Sequence, residues 1–86
     1  MAKGKMKKRK MTVTLEDGLV ITFIKENKTV KFIMLNGGCI HENEVDEDSI
    51  QAKVGKPLSF TYYYGYGSRD ELNSEDNLIK EIIYSS

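Results

Sequence analysis

The 86 residues predict an all-β fold, mainly antiparallel: a small barrel or sandwich-like roll of five or six short strands. Two observations carry this expectation. Apolar and polar residues alternate with a period of two in several stretches, among them "MTVTLE" and "LSFTYYY". Turn signals separate those stretches: Asp17-Gly18, Asn36-Gly37-Gly38 and Gly55-Lys56-Pro57. The length suits one domain, divided into a basic N-terminal arm, residues 1–10, and a single small β domain, residues 11–86.

The first strand begins at Met11. Met11, Val13 and Leu15 share one face, and Thr12, Thr14 and Glu16 the other. "LVITFIK" follows the Asp-Gly pair. A two-residue turn would put Leu19, Ile21 and Phe23 on the face of the threonines. A three-residue loop, Glu16-Asp17-Gly18, pairs Leu15 with Leu19, Val13 with Ile21 and Met11 with Phe23. All six then share one face, so the three-residue loop is expected, with Gly18 in a left-handed conformation. In "KTVKFIML", a two-residue loop at Glu26-Asn27 pairs Phe23 with Val30 and Ile21 with Phe32. Val20, Ile24 and Ile33 fall on the opposite face, which is too apolar to be left fully wet.

Beyond Gly38 the expectations are a short strand, Cys39 to His41, then an exposed acidic loop. "SIQAKV" reads as a further strand, closed by the Gly-Lys-Pro turn. In "LSFTYYY", Leu58, Phe60, Tyr62 and Tyr64 share a face and are expected in the core. "GYGSRDELNSEDN" reads as a polar loop. "LIKEIIY" fits a strand, since an unpaired edge needs a partner, or a short C-terminal helix capped by Ser74.

Charge is the strongest functional signal. Net charge is zero, yet Lys3, Lys5, Lys7, Lys8, Arg9 and Lys10 put six of the 13 basic residues into the first ten positions. All 13 acids lie in the remainder. The arm could contact a polyanion such as nucleic acid, or an acidic protein surface, including that of another copy. It holds too few apolar side chains for a membrane anchor. No apolar run is long enough to span a membrane as a helix, and a Glu-Asp pair follows the basic segment where a signal peptide would be apolar. With Cys39 the single cysteine, a reduced setting is expected: the cytoplasm, or a host's cytoplasm if the chain is viral or from a mobile element.

Two surfaces accompany the arm. Tyr63, Tyr66 and Arg69 form an aromatic and glycine-rich segment suited to a partner or to stacking on bases. Glu42, Glu44, Asp46, Glu47 and Asp48 form an acidic surface for a protein partner, or one that imitates nucleic-acid phosphates. Other motifs dissolve on inspection. Gly65-Tyr66-Gly67 lacks the third glycine and βαβ setting of a dinucleotide site, and Val54-Gly55-Lys56-Pro57 lacks the first glycine and Ser/Thr of a phosphate loop. Cys39 and His41, two apart on a strand, sit about 7 Å apart with no third group, so Cys39 is expected as a small core residue. His41 with its acidic neighbours lacks the spacing of a calcium or zinc site. No catalytic residue, metal or cofactor is expected. The reading is a non-enzymatic binding module working through protein–protein contacts, as inhibitor, adaptor or assembly subunit. The alternative is a nucleic-acid-binding barrel that uses the arm.

Overall fold

The structure, a computed structural model, describes residues 9–85. It is a closed antiparallel barrel of six strands in which each strand pairs with the next in sequence. The strands are β1 (Lys10–Leu15), β2 (Val20–Glu26), β3 (Thr29–Asn36), β4 (Cys39–Val45), β5 (Pro57–Tyr63) and β6 (Arg69–Ser85). A single 3-10 turn, Glu47–Ser49, lies between β4 and β5. The last segment is strand, not helix. None of the described residues forms a helix long and apolar enough to cross a membrane.

Alternation fills the interior. Met11, Val13, Leu15, Ile21, Phe23, Val30, Phe32, Met34, Val45, Leu58, Phe60 and Ile79 all point inward, and Ile50 joins them from the crossing after the 3-10 turn. Phe60 sits at the centre, its ring 5.0 Å from those of Phe23 and Phe32. Register partners drift steadily around the wall. From Ser85 the row passes to Lys10, Ile24, Lys31, Glu44 and Tyr63 and returns to β6 at Arg69, far from its start. Such a stagger tilts the strands and lets six of them close around a filled core.

The first hairpin has the expected register, Val13 with Ile21 and Met11 with Phe23. Gly18 takes φ +96°, a conformation that suits glycine, and Leu19 N–H donates to Asp17 Oδ1 at 2.9 Å. The second hairpin differs by two residues: Phe23 faces Phe32, Ile21 faces Met34 and Lys25 faces Val30. The loop is Asn27-Lys28 instead of Glu26-Asn27, because Asn27 tolerates its φ of +58° and β2 then gains a further pair, Glu26 with Thr29. An even slip preserves the faces, so the core is unchanged.

Four further expectations are corrected. β4 runs to Val45, so Glu42 and Glu44 lie on a strand and not in a loop. "SIQAKV" forms no strand; it makes one bridge, Gln51 with Ser59, as the chain crosses β5. The polar loop spans only the few residues between Tyr63 and Arg69; from Arg69 the chain is strand, paired first with β5 and then with β1. Its polar residues mark a bulge where the pairing jumps from Ser59–Asn73 to Pro57–Leu78. There Glu75 takes φ +53° and Ser74 Oγ accepts the Leu58 N–H at 2.8 Å. Tyr64 and Cys39 are exposed instead of buried, since both lie at strand ends beyond the barrel interior.

Candidate functional site

Gly37 and Gly38 join β3 to β4 with φ of +63° and +80°, the two-residue turn that both residues' positive φ defines. Asn36 and Cys39 close this turn, so they form a hydrogen-bonded pair. Alternation then directs the backbone of Cys39, His41, Asn43 and Val45 to β3. The backbone of Ile40, Glu42 and Glu44 faces the other way, toward β5. Asp46 agrees with this parity, its N–H donating to Thr61 O at 2.9 Å.

β5 meets only the far end of β4. The pairs are Glu44 with Tyr63 and Val45 with Tyr62. Past Tyr63 the chain turns away, and Tyr64 N–H donates to Ser68 O at 3.0 Å within the β5–β6 loop. Among the described residues, no strand lies opposite Ile40 and Glu42. β5, by contrast, is covered where it leaves β4: Thr61 N–H donates to Ser49 Oγ at 2.7 Å, and Gln51 and Ser59 exchange backbone bonds at 2.8 and 3.1 Å. The closed barrel therefore carries an open stretch of strand edge on β4, at Ile40–Glu42.

The side chains along that edge are of two kinds. Ile40, 73% exposed, and its cross-strand partner Leu35, 62% exposed, form an apolar pair on the outer wall. Val20, also exposed, extends this apolar surface onto β2. Glu42 and Glu44 share the outer face with Ile40, and Glu42 reaches Lys31 at 3.5 Å, a half-exposed ion pair of little energetic weight. The five acids thus separate. Asp46 accepts the Asp48 N–H and caps the 3-10 turn, and Glu47 pairs with Lys25 at 3.1 Å in a part-buried setting. Both hold the fold together. Glu42 lies on the open edge, and Glu44 sits just past it, beside Tyr63 of β5.

The tyrosines separate as well. Tyr62 packs on Phe32 at 5.3 Å. Tyr63 is half-buried, and Tyr66, with φ +23°, is fully exposed. Tyr63 and Tyr66 line an open cleft of about 410 Å³ with Gly65, Gly67 and Glu44. Arg69 is the exposed cross-strand neighbour of Tyr63. The cleft lies beside the open edge, so Glu44 and the aromatic pair, read separately in the sequence, meet in one place. Asn43 Nδ2 donates to Tyr63 O at 3.1 Å and anchors the junction.

Of the basic arm, Lys3, Lys5, Lys7 and Lys8 lie outside the described residues. Lys10 opens β1, opposite Ile24 and Ser85. Arg9 is exposed, 4.0 Å from Glu26, and its carbonyl accepts the Lys25 N–H at 2.7 Å. Among the described residues, no three His, Cys, Asp or Glu side chains are grouped to hold a metal ion. Sequence reasoning missed Leu35, Ile40 and the open edge itself. The Asn-Gly-Gly turn was the available signal for its parity, but not for its lack of a partner. Comparison of the chain with protein-family models, curated proteins and solved structures finds no match.

Proposed function

We propose that this protein is a non-enzymatic binding module that takes an extended peptide segment of a protein partner as an added strand along β4. The observation that carries the reading is the open edge at Ile40 and Glu42. An unpaired N–H and C=O row is a template for another chain, and barrels otherwise abolish such edges. Main-chain bonds would supply affinity, while side chains on alternate residues supply selectivity. Leu35 and Ile40 favour apolar contacts, and Glu42 and Glu44 favour a basic segment. Inhibitor, adaptor and assembly subunit are all roles for such a module. Its exposed Cys39 thiol suits a reducing compartment such as the cytoplasm.

The test uses a synthetic peptide of alternating lysine and valine, followed by amide chemical shifts. Binding at the Ile40 and Glu42 amides, lost in Glu42→Pro, is the expected result. Proline there removes the outward N–H without touching the β3 ladder. Absence of binding, or binding that Glu42→Pro leaves intact, overturns the reading. The alternative, nucleic acid held by the arm with Tyr63, Tyr66 and Arg69, is supported by the full exposure of Tyr66. Glu44 in the same cleft opposes it by repelling phosphates. Salt-sensitive binding of a single-stranded oligonucleotide, with no peptide binding, would favour that alternative.

A further inference from the structure

We infer that the open edge of β4 receives the segment Lys3–Lys8 of a second copy of this chain, so that two copies exchange basic strands. The inference rests on the strand-addition reading above and names its partner. Three observations carry it.

The first is charge in register. In an extended segment Lys3, Lys5 and Lys7 fall on one face, with Gly4, Met6 and Lys8 on the other. The outer face of β4 carries Glu42 and Glu44, also two residues apart. Laid against that edge, the lysine face meets the glutamate face, and opposite charges on neighbouring strands attract. The other orientation places one lysine there instead of three. The outer face of β4, with Glu42 on the open stretch and Glu44 just past it, thus carries charges complementary to the segment at the same period.

The second is where the segment leaves the fold. Arg9 is fixed beside Lys25 at the start of β1. β1 and β4 stand three strands apart in a barrel of six, on opposite sides. Reaching β4 of the same copy means crossing at least three strand spacings, about 14 Å. The six residues Lys3–Lys8 span at most about 20 Å when extended. Crossing would leave about two residues to pair with the edge, so a second copy, which offers the whole segment, is the fitting partner.

The third is closure. Each copy offers one such segment and one such stretch on β4. Two copies can therefore satisfy each other and leave neither edge open, a self-complementary pairing typical of twofold dimers. Leu35 and Ile40, exposed beside the edge, would be partly covered by the incoming strand and by its neighbouring lysine stems.

Sedimentation of the full chain over a wide concentration range tests this. The unaltered chain is expected to dimerise, more weakly as salt rises. Two charge-reversed forms, Lys3→Glu with Lys5→Glu and Lys7→Glu, and Glu42→Lys with Glu44→Lys, should each self-associate at least about tenfold more weakly. An equal mixture of the two forms should regain dimers, because each then offers the other an opposite charge at both contacts. Circular dichroism confirms that each form is folded. A chain that is monomeric at every concentration overturns the inference, as do dimers that survive both reversals or a mixture that does not pair. If the chain is monomeric while the lysine–valine peptide still binds and Glu42→Pro abolishes that binding, the second copy is the wrong partner and the edge remains a strand acceptor. If Glu42→Pro leaves the peptide bound, the edge reading fails with it.

Discussion

Proline substitution at two adjacent positions of β4 separates an open edge from a paired one. His41 and Glu42 are both exposed, and their side chains are not packed in the core. Their backbones differ. His41 faces Met34 in a hydrogen-bonded pair, so its N–H belongs to the β3 ladder. Glu42 directs its N–H away from β3 to the side where no described strand lies. Proline at 41 removes one ladder bond and strands the Met34 carbonyl, which costs about 1–3 kcal/mol, before any clash of the ring with β3. Proline at 42 removes no bond within the fold, and its φ is compatible with a strand edge, so its cost should stay within about 1 kcal/mol. Alanine at each position removes the side-chain contribution, including the Lys31–Glu42 pair, which is worth about 0–1 kcal/mol. For a domain of this size 1 kcal/mol corresponds to about 4–8 °C in Tm. A difference of about 2 kcal/mol between the prolines is therefore about 8–16 °C by calorimetry. Equal losses at both positions would mean that the Glu42 N–H has a partner within the fold, and the open edge would be lost as a basis for function. A larger loss at 42 than at 41 would mean that β4 is shifted by one residue.

Two other outcomes follow from the core and from the first turn. Phe60→Ala removes a fully buried ring in contact with Phe23 and Phe32, and should cost about 3–5 kcal/mol in urea unfolding, whereas Tyr66→Ala, at a fully exposed ring, should stay within about 0.5 kcal/mol. A total stability of about 4–13 kcal/mol for this length makes the Phe60 loss a large fraction of the whole. The Asp17 carboxylate is held below its ordinary pKa of 3.8 by the Asn77 side-chain amide and then by the Leu19 N–H. Its ionised form is favoured by folding, so the stabilisation is complete above the unfolded pKa and disappears as pH falls through the lower folded value. The Tm difference between the unaltered chain and Asp17→Ala should be constant near neutral pH and shrink below about pH 4; a difference that grows with acidification would contradict the assignment.

The sequence by itself determined the strands whose faces differ in polarity. In β1, β2 and β3 a period of two separates Val13, Ile21 and Phe32 from Thr12, Thr22 and Lys31, and burial of one face leaves a single usable parity. The first loop followed from the same constraint, since only a three-residue turn kept six apolar residues together. The second loop did not, because shifting the pairing register by two residues leaves every side chain on its own face. There the choice fell to the left-handed tolerance of Asn27 and to one more backbone pair. The segment from Arg69 to Asn77 was illegible for a related reason: its residues are polar, and it is strand because β5 needs a neighbour there, a demand that only the tertiary fold creates. The candidate site is of the same kind. Glu42, Glu44, Tyr63 and Tyr66 could be named from composition, but their convergence depends on where β5 parts from β4. Side-chain periodicity is written in the chain one residue at a time, whereas the absence of a neighbour is a property of how distant strands end.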